Sequence, residues 1–358
     1  MKILLISNMY PSAKDKTYGT FVKMFKEGVE RNANDIIFDC CFIRGRSNSC
    51  VAKVCKYIVF YSAIIYKVLF TKYDFVYNHQ ITHTAPVLRF CRCLRKFKLV
   101  MNIHGGDVVT IDKRSEKLLS VAIPLLVNSK LIVVPSEYFK GIVLNKIPGI
   151  SSNQLFVSAS GGVNKSVFTY KNTHRALTGT IVYVSRIDTG KGWDVLIDAV
   201  SELKSNGKII EKRILFVGYG AQTELLKKRI QELDLLEYCN YLGPKTHQEL
   251  NELYNEADVM IFPTMLNESL GLVGLEAMAC GCPVIGSNIG CLSEYIKDGV
   301  TGFLFEPGNS HELAAKIANF YNLSEIQKSM LQSQAIDMAQ KYDSDEISQM
   351  LVNKLKEI

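Results

Sequence analysis

Between Val259 and Ser287 the chain compresses a strand, a hard stop, a glycine-bearing loop and an apolar helix into one continuous unit. Val259, Ile261 and Phe262 form a β-branched, apolar run that reads as a buried strand, and Pro263 stops it. A polar loop follows, in which Ser269 or Asn267 is placed to cap a helix whose first turn is Leu270-Gly271-Leu272-Val273. Gly271 and Gly274 leave backbone amides bare at that turn, and the helix dipole adds roughly half a positive charge. An anion such as a phosphate is what this backbone is built to hold.

Two carboxylates frame the turn. Glu268 precedes the helix and Glu276 follows eight positions later, which the helical period places on the same side within about 80°. Glu276 then faces whatever the amides hold, and an acceptor-only carboxylate suits the paired hydroxyls of a ribose. A solvated helix residue and a loop charge are the alternative. Against it, Leu272, Val273, Leu275, Met278 and Ala279 make the helix apolar on almost every side, and a carboxylate there needs a partner.

Glu268, seven intervening residues, Glu276 and then Ala277-Met278-Ala279-Cys280-Gly281-Cys282-Pro283-Val284-Ile285 resemble the signature of the retaining glycosyltransferases of family four. The likeness spans the C-terminal half and, more loosely, the N-terminal half. It implies the GT-B fold: α/β, with two Rossmann-like doubly wound domains facing a cleft and a C-terminal helix crossing back to the first domain. The expected division is an acceptor-binding domain over 1–162, a linker over 163–178, a nucleotide-sugar domain over 179–340, and the returning helix over 341–358.

A chain of 358 residues exceeds what one core usually fills, so two domains are expected on size alone. The ten cysteines show no Cys-Xaa-Xaa-Cys spacing, and Cys91-Arg92-Cys93 and Cys280-Gly281-Cys282 are too tight for a four-ligand zinc site. They read as reduced, buried thiols of a cytoplasmic protein. Met1–Ser7 has too short an apolar core for an export signal and reads as the first strand. The longest apolar run, Tyr57–Tyr66, falls short of the roughly 18–20 residues of a membrane span.

Charge is uneven: residues 1–98 hold 17 Lys and Arg against 6 Asp and Glu. Residues 51–70 read as a long helix with an inward stripe of Val51, Val54, Cys55, Ile58, Ile65 and Leu69. On its second face Lys53, Lys56 and Lys67 alternate with Phe60 and Ile64, which suits an anionic membrane surface. Arg89, Arg92, Arg95, Lys96 and Lys98 add a second basic cluster. An ordinary solvated face is the other reading; together the two clusters favour a peripheral enzyme on the inner face of the cytoplasmic membrane, meeting a lipid-linked acceptor.

Three further loops follow predicted strands. After Lys2–Ser7, the loop to Gly19 again sets amides at a helix start; the resemblance lays this loop against the donor's diphosphate or the acceptor, with Gly19 as a donor contact, and a plain turn residue is the other reading. Lys98–Ile103 delivers His104-Gly105-Gly106-Asp107 to the carboxyl end of the sheet, where open α/β sheets bind ligands. His104 resembles the family's active-site histidine, whereas His79 and His83 match nothing and read as structural. After Thr180–Ser185, Arg186 and Lys191 flank a glycine turn from which both reach a shared phosphate oxygen, and the resemblance gives them the donor's diphosphate. Gly218-Tyr219-Gly220 begins like a dinucleotide fingerprint but lacks its third glycine. It fits the nucleotide side of a GT-B domain. Tyr241–Lys245 is where relatives hold the base edge, which leaves uracil and guanine both open. Asp343-Ser344-Asp345 reads as a helix cap rather than a metal motif.

The resemblance thus implies a hexose transferred from a UDP- or GDP-linked sugar to a hydroxyl of a glycan or lipid-linked acceptor, with retention, in bacterial surface polysaccharide synthesis. Arg186, Lys191 and the turn from Ser269 through Leu270, Gly271, Leu272 and Val273 would stabilise the departing diphosphate, with no metal or other cofactor required. Glu276 would hold the ribose, Glu268 the donor sugar's hydroxyls, Gly218 and Lys245 the nucleotide side, and His104 the reacting sugar. A nucleic-acid partner is not expected. A sugar nucleotide 2-epimerase and a catalytically silent nucleotide-binding module of the same fold are the alternatives.

Overall fold

The computed structural model describes residues 1–15, 18–47, 49–109, 113–171, 178–208 and 212–358. The chain folds as two compact units, residues 1–162 with 344–358, and residues 163–343.

The first unit alternates strand and helix: β1 (Lys2–Tyr10), α1 (Thr20–Asn32), β2 (Ile37–Arg44), α2 (Cys50–Phe70), β3 (Phe75–His79), α3 (Ile81–Leu94) and β4 (Leu99–Asn102). The short helix α4 (Gly105–Val108) follows, then α5 (Lys113–Val127), β5 (Leu131–Val134), α6 (Glu137–Lys146) and β6 (Leu155–Val157). The sheet runs β2-β1-β3-β4-β5-β6 with every pairing parallel. Strands covered on both faces need no polar alternation, which is why Ile3–Ile6 and Leu131–Val134 are unbroken apolar runs and buried throughout.

The second unit repeats the plan with β7 (Thr180–Val184), α7 (Trp193–Ser205), β8 (Arg213–Val217), α8 (Thr223–Glu232), β9 (Cys239–Gly243), α9 (His247–Glu256) and β10 (Val259–Phe262). It ends with α10 (Leu272–Ala279), β11 (Val284–Ser287), α11 (Leu292–Tyr295), β12 (Gly302–Phe305), α12 (Ser310–Asn322) and α13 (Glu325–Gln340). Its parallel sheet runs β12-β11-β10-β7-β8-β9. In both sheets the strand order reverses beside the first strand, and the loops at that crossing are where such sheets hold ligands. The last helix, α14 (Ser344–Lys356), belongs to the first unit, where Leu351, Val352 and Leu355 complete the core beside Phe25 and Val29.

Helix α2 corrects the expected stripe. Phe60, Ile64 and Val68 are its buried residues, while Val51, Val54, Ile58, Val59, Tyr66 and Phe70 are exposed. Two of the three lysines turn inward with the buried face. Lys67 pairs with Asp39, and Lys56 donates to the carbonyls of Arg44, Gly45 and Arg46 at 3.0, 3.0 and 3.2 Å. Partners on the adjoining strand and loop decide the orientation: a lysine that can cap carbonyls and meet a carboxylate is better placed inside than in water. Arg95 is drawn in the same way, its guanidinium donating to the carbonyls of Val68, Leu69 and Thr71 at the α2 C-terminus. No helix among the described residues is long and apolar enough to cross a membrane.

Candidate functional site

In the second unit the loop after β7 closes on the loop after β10. Gly192, at φ 73°, is the N-cap of α7, and a Cβ there would fall 1.7 Å from the Pro263 carbonyl oxygen. Only glycine allows this approach. Met265 N–H donates to the Gly190 carbonyl at 2.8 Å, and the Tyr183 hydroxyl ties down the carbonyls of Arg186 and Lys191 at 3.2 and 3.1 Å. The consequence is an ion pair: Lys191 Nζ lies 2.7 Å from Glu268 Oε1, with side chains 13% and 17% exposed. Thr264 Oγ1 donates to the same carboxylate oxygen at 2.9 Å. The base expected on one flank and the acid expected on the other are thus in contact.

Helix α10 begins two residues later than predicted, and its cap is Gly271, not Ser269 or Asn267. Gly271 sits at φ 76°, and a Cβ there would meet Phe262, Leu292 and the Tyr295 hydroxyl at 2.9–3.0 Å. A left-handed residue cannot continue a helix backwards, so α10 starts after it. Tyr295 Oη fixes the turn by donating to the Gly271 carbonyl at 3.0 Å. Leu270 is buried before the cap, and Leu272 and Val273 supply the first-turn amides, which have no upstream helical carbonyl to bind. Glu268 is therefore a loop residue, and its direction comes from Lys191 and Thr264 rather than from helical spacing.

Glu276 stands on α10, partly buried, and its carboxyl makes no hydrogen bond or ion pair among the described residues. Burial pushes its pKa up to about 7. The expected basic and nucleotide-side residues are held locally. Arg186 Nη1 pairs with Asp188 at 2.7 Å, and Asp188 in turn accepts from Ala221 N–H at 2.7 Å, linking the loops after β7 and β8. Gly218 spends its N–H on the Gly243 carbonyl at 3.0 Å and its carbonyl on Tyr241 Oη at 2.9 Å. Lys245 pairs with Glu249 at 3.0 Å on α9.

In the first unit Gly19 is the left-handed N-cap of α1, packed on the Met9–Tyr10 backbone. His104 caps α4; its N–H donates to Asp107 Oδ2 at 2.9 Å, while Thr82 Oγ1 donates to Oδ1 at 3.5 Å. Burial pushes the Asp107 carboxyl up to about 7 and lowers the His104 imidazole to about 4.

His79, read from sequence as structural, meets His104. Its Nδ1 lies 3.1 Å from His104 Nε2, the rings stack 11° from parallel, and burial, with His104 adding to it, holds His79 well below the ordinary histidine range. Both imidazoles are neutral near pH 7, so one nitrogen donates and the other accepts. His79 ends β3 and pairs in register with Asn102, two residues before His104. A histidine at the end of one strand and another two residues past the end of its parallel neighbour is the signal that could have revealed this contact.

Residues 170–336 match the family described as Glycosyl transferases group 1. The uncharacterized glycosyltransferase MJ1178 of Methanocaldococcus jannaschii is 27% identical over 257 residues, covering 72% of this chain and 68% of that protein. The putative colanic acid biosynthesis glycosyltransferase WcaL of Salmonella typhimurium is 27% identical over 286 residues, covering 77% and 68%. Anabaena HepE, solved in complex with UDP-glucose, has a TM-score of 0.77 at 21% identity and covers 100% of both chains, which is a likeness of fold. The match to the glycosyl transferases group 1 thus falls on the second of two parallel six-stranded sheets, in a chain whose fold is of the GT-B type.

Proposed function

We propose that the protein moves a hexose from a UDP- or GDP-linked sugar to a hydroxyl of a glycan or lipid-linked acceptor, with retention at the anomeric carbon and without a metal. The observation that carries this reading is the Lys191–Glu268 pair beside the Gly271 cap of α10. It brings an ammonium from the loop after β7 to a positioned carboxylate three residues before the cap that the first-turn amides follow. The amides and Lys191 take the charge that grows on the departing diphosphate, and Arg186 reaches it on releasing Asp188. Glu268, oriented by Lys191 and Thr264, is left with one oxygen for the sugar's hydroxyls, and Glu276 holds the ribose. His104, kept neutral by burial, is the first unit's candidate for a hydrogen bond to a sugar hydroxyl.

For retention we propose same-face attack. The anomeric carbon leaves its phosphate oxygen as the acceptor oxygen bonds on the same side, and the departing phosphate oxygen takes the acceptor's proton. A stable glycosyl adduct on Glu268 or Asp107, seen by mass spectrometry, would overturn this. The activity is tested by incubating the protein with UDP- and GDP-sugars in chelator and following donor loss by NMR. Slow hydrolysis that releases the retained anomer is expected. Interconversion of the nucleotide sugars would instead identify an epimerase, and binding without turnover a silent module.

The surface polysaccharide reading draws on the likeness to the WcaL protein. We also propose that α2 rests on a membrane surface through its exposed Val51, Val54, Ile58 and Val59. Sedimentation with phosphatidylglycerol vesicles tests it: Ile58→Glu should release the protein, and equal recovery of both would refute it.

A further inference from the structure

An open pocket of about 510 Å³ lies wholly within the first unit, at the carboxyl ends of β1, β2 and β3 and against the loop that carries His104. Open α/β sheets take ligands at this edge. The first two turns of α2 form one wall, where Lys53, Lys56 and Tyr57 share a helical face. Arg46 and Tyr18 form another, the guanidinium 5.2 Å from the ring centroid. Asn8 lies beneath at 5% exposure, its Oδ1 buried without a hydrogen-bond partner among the described residues, its Nδ2 3.4 Å from Tyr57 Oη.

The charge here is one-sided. Arg46, Lys53 and Lys56 line the pocket, and Asp107 is the one acid among the described lining residues. Both Asp107 oxygens accept hydrogen bonds from His104 N–H and Thr82. Lys56 is held by three carbonyls, so it is a fixed charge that no carboxylate neutralises. The Lys53 ammonium has no hydrogen bond or ion pair among the described residues, and Arg46, though paired with Asp15, leaves 65% of its side chain exposed. A neutral glycan offers three cations only hydroxyl oxygens, whereas a phosphate answers them with charge-assisted hydrogen bonds. The tyrosines offer faces to a sugar ring.

Building on the reading of the chain as a glycosyl transferase, we propose that this pocket takes the acceptor, and that the acceptor carries a phosphate held by Lys53 and Arg46. Its reacting hydroxyl lies against Gly106 and Asp107, in the loop of His104.

The test is titration calorimetry with UDP at saturation, so that the second unit's anion site is filled. Glucose 1-phosphate should bind at least about tenfold tighter than methyl glucoside, and Lys53→Glu and Arg46→Gln should each weaken the phosphate ligand about tenfold while moving methyl glucoside less than about twofold. Farnesyl diphosphate binding well above glucose 1-phosphate marks a lipid-linked source; equal binding marks a phosphorylated sugar. Equal affinity for the neutral and phosphorylated sugars, or phosphate binding untouched in both variants, overturns the proposal. UDP binding, measured in parallel, is expected unchanged in both variants. Its absence from the wild-type protein would count against the donor reading, while the phosphate comparison still judges the pocket.

Discussion

Lys191 and Glu268, far apart in sequence, share an ion pair of 2.7 Å that joins the loop after β7 to the loop before α10. The pair is mostly shielded, so each partner depends on the other more than an exposed pair would. Lys191→Ala leaves Glu268 with Thr264 alone and should cost about 1–3 kcal/mol of stability. Glu268→Gln alone should cost less, since the amide still accepts from Thr264. The double substitution Lys191→Met with Glu268→Gln should cost less than the two single changes added together. Chemical denaturation of the four proteins checks this; strictly additive losses would mean that the pair carries no coupling. UDP affinity should fall about tenfold in Lys191→Ala, and unchanged binding would remove this lysine from the donor site.

Gly192 makes that junction possible. Ala at this position would place a methyl 1.7 Å from the Pro263 carbonyl, so the two loops must part. Gly207, also at positive φ but with open space around it, isolates the backbone cost alone. Gly207→Ala should lose about 1 kcal/mol, while Gly192→Ala should lose more than about 3 kcal/mol and most donor binding. Comparable melting temperatures for the two variants would contradict the close approach.

The parallel sheets were legible in the sequence because strands buried on both faces must be continuously apolar, and the loops after β4, β7 and β10 announced themselves by glycine following such a run. What failed was orientation. The α2 stripe was drawn from apolar spacing, but Asp39 and the carbonyls of residues 44–46 recruit Lys67 and Lys56 and turn the helix round. No period in a single helix encodes partners that lie on another element. The α10 cap failed for a related reason: Ser269 and Asn267 have capping chemistry, yet Phe262, Leu292 and Tyr295 crowd Gly271 and fix where the helix starts. His79 was passed over because one histidine beside a strand end carries little information. Its meaning comes from register with the neighbouring strand.

The burial of His104 predicts an inverted titration. The folded imidazole of His104 has its pKa near 4, below the ordinary value of about 6.5, so the unfolded chain binds its proton first as pH falls. Stability from this group is complete above about pH 6.5 and declines toward pH 4. Asp107, raised to about 7, works oppositely and adds stability over much of the same window. The histidine contribution is therefore read as the stability difference between wild type and His104→Gln. That difference should shrink as pH falls from 6.5 to 4, and the His104 ring proton should titrate near 4 by NMR. A midpoint near 6.5 would show a solvated ring rather than a buried one.

Glu276 separates stability from binding. Its folded pKa of about 7 lies above the usual carboxylate range, so the native state holds a proton that the unfolded chain releases. The stability this proton gives is present below about pH 4.5 and is lost as pH rises to about 7, so Glu276→Gln should be the more stable protein at pH 8, the two converging by about pH 4. Donor binding should run the other way. The ionised carboxylate accepts both ribose hydroxyls and binds them more strongly than an amide or a protonated acid, a gain of about 1 kcal/mol or roughly fivefold. Wild type should hold UDP about fivefold tighter than Glu276→Gln at pH 8 and within about twofold of it at pH 6. Taking the ratio of the two proteins removes the titration of UDP itself, which ionises in the same range. A variant both more stable and unimpaired in UDP binding at pH 8 would mean that Glu276 is a packing residue and that the ribose lies elsewhere.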